Sequence, residues 1–218
     1  MKYILFDLDG TLTDPYDGII NSFQHAFAHF GIREDDPDKL RRFIGPPLRE
    51  TFSEYGIDPS QHEKAVSVYR EHFGTAGLYE NVLYDGIADL LEALTDRGYI
   101  LAIASSKAEI YVKKIAEHFG IARYFSFIGG SEFDGRRSGK AEVIQYVLSS
   151  LGVYPTDEVY MIGDREHDII GAKTCGITGV GVLYGYGDKA ELEAAGTDYI
   201  VGDVAGLKRF FIDQKRQF

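Results

Sequence analysis

Short apolar runs ending in polar or glycine-containing tips recur along the 218 residues. Lys2 to Leu8, rich in Ile, Leu, Phe and Tyr, stops abruptly at Asp9-Gly10-Thr11. Tyr99 to Ala104 ends in Ser105-Ser106-Lys107, Phe125 to Ile128 in Gly129-Gly130-Ser131, and Val159 to Ile162 in Gly163-Asp164. Thr178 to Leu183 and a short Tyr199 to Val201 complete the series. Such runs are expected of strands buried on both faces. Between them, Ile87 to Arg97, Ile110 to Phe119 and Lys140 to Leu151 carry apolar residues at helical spacing. Each is followed by a glycine, a helix-stop signal.

Strand–helix alternation with short connections predicts an α/β fold, a parallel sheet covered by helices on both faces. Ligands of such sheets bind beyond the carboxyl ends of the strands, and here those ends carry Asp7, Ser105 and Asp164. One stretch breaks the alternation. Helical patterns at Ile19 to Phe30, Pro37 to Phe43, Leu48 to Tyr55 and Gln61 to Phe73 make residues 17–80 a helical block inserted after the first strand. The expected organisation is a core of residues 1–16 and 81–218, with 17–80 as a lid over the active edge.

Composition narrows the class. The chain is 44% hydrophobic and 26% charged, as globular proteins are, with no repeat or long apolar span. The first residues reach an acid too soon for a signal peptide. One cysteine, Cys175, excludes an intramolecular disulfide and suits a reducing cytoplasm. A net charge of −11 argues against a broad nucleic-acid footprint, yet leaves room for a small anionic substrate where a metal and local cations reverse the field. The expected partner is a small phosphorylated metabolite, with no nucleic acid or membrane, and the expected state is a monomer or weak homodimer.

Four constellations carry candidate chemistry. In Asp7-Leu8-Asp9-Gly10-Thr11, two acids follow a buried strand, an expensive placement unless something pairs with them. Asp7 could ligate Mg²⁺ with one oxygen and attack phosphorus with the other, while Asp9 protonates the leaving alcohol and then activates water. A polar turn capping a helix is the plainer alternative. In Gly163-Asp164-Arg165-Glu166-His167-Asp168, i, i+4 spacing on a helix would aim both acids at one metal; acids set against a helix dipole are the alternative. Ser105 and Ser106 could hold phosphate oxygens, Ser106 equally well capping the next helix. In Arg136-Arg137-Ser138-Gly139-Lys140 a cation could neutralise phosphate and Asp7, against the plain reading of a solvated basic loop. His25 and His29 lack a third ligand, Cys175 reads as a small buried hydrophobe, and Gly181 to Gly187 lacks a Walker lysine.

Taken in order, Asp7-Leu8-Asp9-Gly10-Thr11, Ser105, Lys140 and Gly163-Asp164 to Asp168 resemble the haloacid dehalogenase-like hydrolases, most of all the phosphoglycolate phosphatase-like branch with a helical cap. The resemblance covers essentially the whole chain. It implies a Rossmann-like core, a phospho-aspartyl enzyme at Asp7, acid/base work by Asp9, and Mg²⁺ held by Asp7, the Asp9 carbonyl and Asp164 with Asp168 in support. Ser105 would hold the transferring phosphoryl group and a lysine would neutralise it, Lys140 or alternatively the cation Arg137. Phe43-Ile44-Gly45-Pro46-Pro47-Leu48-Arg49 resembles the cap loop that reaches the active site, with Arg49 a candidate for a substrate carboxylate or second phosphate. The expected activity is hydrolysis of a small phosphomonoester: phosphoglycolate, a nucleoside 5′-monophosphate or a sugar phosphate. A sugar-phosphate mutase and a phospho-acceptor regulatory module are the alternatives.

Overall fold

A computed structural model describes residues 1–134, 136–153 and 158–213. In chain order the elements are β1 (Lys2–Phe6), β2 (Thr13–Asp14), α1 (Tyr16–His29), α2 (Leu48–Glu54), α3 (His62–His72), β3 (Val82–Leu83), α4 (Ile87–Asp96), β4 (Ile100–Ala108), α5 (Glu109–His118), β5 (Phe125–Ser131), α6 (Lys140–Leu151), β6 (Glu158–Gly163), α7 (Glu166–Thr174), β7 (Thr178–Val182), α8 (Lys189–Ala194), β8 (Tyr199–Val201) and α9 (Val204–Ile212). Six strands form one sheet in the order β5-β4-β1-β6-β7-β8, with β1 hydrogen-bonded in parallel to β4 and β6. This is the α/β core expected from the alternation, Rossmann-like as the resemblance implies.

The chain divides into two compact units, Met1–Asp14 with Leu83–Phe218 and Pro15–Val82. In the first, Tyr3 and Leu5 of β1 pack with Ala102 and Ala104 of β4, Val159 and Met161 of β6, and Val143, Ile144 and Val147 of α6. Side chains alternate across a strand, so Ile4 and Phe6 serve the opposite face and are fully buried there. Burial on both faces is why β1 shows no polar alternation. The second unit packs aromatic residues from its helices against one another. Phe23 stacks on Phe27 at 5.9 Å, Phe27 lies 4.4 Å from Tyr55, and Tyr69 stacks on Phe73 at 5.6 Å.

Several boundaries differ from expectation. Pro37–Phe43 is a 3₁₀ segment, and a π-helical stretch, Phe73–Gly77, follows α3. Strand β4 continues through Ser105 to Ala108, and its register with β5 shifts between Ala104 and Ala108. The polar tip expected after Ala104 is itself strand, with a bulge that accommodates its polar residues. Among the described residues, no helix is long and apolar enough to cross a membrane.

Candidate active site

The nucleophile candidate sits where β1 ends. The Asp7 N–H donates to the Ile162 carbonyl at 2.8 Å, which extends the β1–β6 pairing by one residue and places the carboxylate at the sheet's edge. The chain then turns tightly. Leu12 and Thr13 N–H groups return to the Leu8 carbonyl, and Gly10 N–H donates to the Thr13 carbonyl. Gly10 adopts φ +82°, and a Cβ there would lie 2.2 Å from Asp164 Oδ2. Only glycine fits both the conformation and the space.

Asp164 follows β6 and reaches the same point. It accepts from Thr11 Oγ1 at 3.1 Å and from the Tyr186 N–H at 2.8 Å. Asp168 lies in the first turn of α7, but Asp164 does not share that helix. Arg165 between them is extended (φ −119°, ψ 159°), and its N–H donates to Asp168 Oδ2 at 3.1 Å. The i, i+4 argument for this pair is therefore corrected. The two acids converge because the chain bends at the helix start, not because they lie on one helical face. Asp7, Asp164 and Asp168 each bring an oxygen into a buried cluster whose members all lie within 4.8 Å of one another.

Lys140 opens α6 beneath this cluster. Its Nζ lies 2.8 Å from Asp7 Oδ1 and 2.8 Å from Asp168 Oδ1, and it donates to the Ala104 carbonyl at 3.1 Å. Both carboxylate contacts are buried ion pairs at hydrogen-bond distance. Burial works against the Lys140 charge, but Asp168 and Asp7 outweigh it and hold its pKa above the usual lysine value. Burial also pushes the Asp164 carboxyl up, with Asp168 and Asp7 adding repulsion. Asp168 is raised by burial as well, opposed by Lys140.

Three buried carboxylates against one buried ammonium leave an excess of negative charge that fits a hard divalent cation. The donor set is all oxygen, as Mg²⁺ prefers. Asp9 stands apart, because its carboxylate faces Lys107 Nζ at 2.8 and 2.5 Å rather than joining the cluster.

Other candidates fall as follows. Ser105 is buried inside β4, its Oγ accepting from the Lys107 N–H at 3.4 Å. Ser106 does not cap α5, whose N-cap is Ala108. Arg137 is engaged elsewhere: it donates to the Gly130 carbonyl at 2.9 Å, pairs with Glu109 and Glu132 at 3.4 Å, and covers the Tyr146 ring at 3.7 Å. Arg49 pairs with Glu63 within the helical unit. His25 and His29 are exposed, and Cys175 Sγ donates to the Ala141 carbonyl at 3.4 Å.

Two contributors were missed. Lys107 stands beside the serines that were singled out. The Gly181 to Gly187 stretch, set aside as a nucleotide loop, braces the site instead. Tyr184 OH donates to the Thr11 carbonyl at 2.9 Å, Tyr186 OH to Asp14, and the Tyr186 N–H to Asp164. Its glycine density was the available signal, since it marks close backbone approach.

Residues 4–182 match the haloacid dehalogenase-like hydrolase family. The chain belongs to this family. It is an enzyme of the hydrolase class, of the family's phosphatase kind. A protein of Pseudomonas aeruginosa named 5′-nucleotidase is 47% identical over 207 residues, 94% of this chain and 93% of that protein. A Mycobacterium tuberculosis protein named tyrosine-protein kinase PtkA is 41% identical over 186 residues, 85% of this chain and 63% of its own length. The crystal structure of a predicted phosphatase from Clostridium acetobutylicum superposes with a TM-score of 0.92 at 43% identity, covering 97% of this chain and 98% of that one.

The acid cluster requires room. A Cβ on Gly163 would fall 2.1 Å from Asp168 Cγ. Gly163→Ala is therefore expected to destabilise the fold by about 1–3 kcal/mol, as overpacking does. It should also weaken metal binding, because Asp168 is the side chain that must move. Denaturant unfolding and a metal titration check both.

Proposed function

We propose that the chain is a Mg²⁺-dependent phosphatase that hydrolyses a small phosphate monoester through a phospho-aspartyl intermediate on Asp7. One observation carries this reading: Asp7 lies inside the buried acid cluster, while Asp9, two residues on, is held outside it by Lys107. The two acids thus have separate environments and can take separate roles.

Asp7, Asp164 and Asp168 would hold the metal, with the Asp9 carbonyl as the family resemblance implies. When bound, Mg²⁺ supplies charge neutralisation to the phosphoryl oxygens and to the acid cluster. In the first step an Asp7 carboxylate oxygen attacks phosphorus, the ester P–O bond breaks, and Asp9 gives its proton to the departing oxygen. Burial pushes the Asp9 carboxyl up while Lys107 pulls it down, and the net upward direction suits a group that must carry a proton. In the second step Asp9 takes a proton from water, the water oxygen attacks phosphorus, and the bond to Asp7 breaks to release inorganic phosphate. Ser105, with Ser106, would hold the phosphoryl oxygens, and Lys140 would orient Asp7 and balance the added charge. Arg137, with its partners on α5 and β5, is not assigned this task. The helical unit 15–82 would act as the cap, with Arg49 a contact for the leaving group. Work in the cytoplasm fits the single cysteine.

The relative named 5′-nucleotidase favours nucleoside 5′-monophosphates over phosphoglycolate and sugar phosphates as the substrate class. The test is phosphate release from a panel of metabolite phosphates, with ATP plus a tyrosine peptide and a sugar phosphate as additional arms. Preferential release from nucleoside monophosphates is expected. Phosphotyrosine formation would assign a kinase, and isomer interconversion without phosphate release a mutase.

Metal removal supplies a further check. EDTA should abolish turnover and Mg²⁺ restore it. Mg²⁺ should also stabilise the fold, by about 2.7 kcal/mol at a hundredfold excess over its dissociation constant. The sign with pH follows from the raised carboxyls. Asp164 and Asp168 bind protons more tightly folded than unfolded, so their contribution to metal-free stability is full below the unfolded carboxylate pKa of about 4 and is lost as pH rises. The Mg²⁺-induced rise in melting temperature should accordingly grow from about pH 5 to about pH 8, as the Asp164 carboxyl, pushed up to about 8, approaches its ionisation. A shift that shrinks across that range would contradict the site.

A further inference from the structure

Lys107 has no part in the family's sequence pattern as read above, yet it makes the closest polar contact to Asp9. Its Nζ meets both carboxylate oxygens, at 2.8 and 2.5 Å, and the two side chains are only 10% and 13% exposed. The lysine's backbone is fixed as well. It lies in the bulged end of β4, its N–H reaches Ser105 Oγ, and Gly130 on β5 packs so closely that a Cβ there would stand 2.6 Å from the Lys107 carbonyl oxygen. An ammonium held on both oxygens sets the plane of a carboxylate as well as its position. Proton transfer depends on that placement, and a misplacement of about 1 Å can cost on the order of 10²-fold.

We infer that Lys107 is a positioning residue for proton transfer: it fixes the rotamer and plane of Asp9, so that one oxygen of Asp9 faces the departing oxygen of the substrate. This rests on the reading of Asp9 as acid and base. Lys107 acts through Asp9, whereas Lys140 acts at Asp7; the two ammonium groups divide the two acids between them.

The test uses the full chain with Mg²⁺ and measures single-turnover release of the leaving group. The variants are Lys107→Met, Lys107→Gln, Lys107→Arg, Asp9→Asn and the Lys107→Met/Asp9→Asn pair, each checked for folding by circular dichroism. The probes are p-nitrophenyl phosphate and an alkyl phosphomonoester. With the alkyl ester, Met or Gln should lower the rate by about 10²-fold and leave KM within about threefold, and Arg should restore most of the loss. The loss should be smaller with p-nitrophenyl phosphate, whose phenolate departs with little protonation. In the Asp9→Asn background, removing Lys107 should cost nothing further, because residues acting as one unit are not additive.

An equal loss in that background, an equal loss with both esters, or a rise in KM with an unchanged rate would overturn the inference. The last result would make Lys107 a phosphate ligand instead. Asp9→Asn at the wild-type rate would instead overturn the acid/base reading itself, whatever Lys107 does.

Discussion

Asp7→Asn is expected to leave a folded chain whose phosphate release falls by about 10⁴-fold or more, the scale on which loss of a nucleophile is felt. The substitution keeps the side chain's shape and the backbone bond to Ile162. What it removes is a carboxylate oxygen able to attack phosphorus, which an amide oxygen does not replace. The fold should tolerate the change. Lys140 loses one of its two carboxylate partners but keeps Asp168 and the Ala104 carbonyl. The cluster also loses one of three mutually repelling acids, so metal-free stability is held or raised while metal affinity drops. Circular dichroism, thermal unfolding and phosphate release together separate these effects. Normal hydrolysis by the variant would remove Asp7 from the chemistry.

Asp9→Asn should slow turnover by about 10²–10⁴-fold, the usual cost of losing a general acid or base. The cost divides between the two steps. With a poor leaving group, phosphoryl transfer slows because the alkoxide departs unprotonated. With a good one, transfer proceeds and the phospho-Asp7 chain accumulates, since no base activates water. Mass spectrometry of acid-quenched enzyme would detect the added phosphoryl group. The variant should also lose stability, on the order of 1–3 kcal/mol, because the largely buried Lys107 ammonium then faces a neutral amide. Steady turnover with no phospho-enzyme for any leaving group would contradict the role given to Asp9.

The sheet was legible in the sequence because its strands are buried on both faces, which leaves unbroken apolar runs with polar ends. Asp7 and Asp164 could be located for the same reason: a carboxylate at the end of a buried strand has no cheap explanation without a partner. Less was legible wherever function depends on a bend or a long reach. The apolar run of β4 stops at Ala104, yet the strand continues to Ala108, because a bulge hides polar residues in a ladder. Asp164 and Asp168 suggested a shared helix, yet converge through an extended Arg165. The choice between Lys140 and Arg137 could not be made from neighbouring positions in one basic run, but three residues' separation puts them on different partners. Tyr184 and Tyr186 were invisible as site residues, since a tyrosine's partner is set by folding and not by spacing.

The central position of β1 has a consequence for how the protein is made. The residues that meet around Asp7 come from far along the chain: Lys140, Asp164, Asp168 and, last, Tyr186. On the ribosome, β1 is made before both of its parallel neighbours, β4 and β6, and such long-range pairing is slow. The unit at 15–82 has its own aromatic core and can condense while it waits. A nascent chain therefore carries Asp7 long before the residues that surround it have been made. The acid cluster can be braced only after the stretch that holds Asp164 has left the tunnel, so products of interrupted translation that lack it carry an incomplete site.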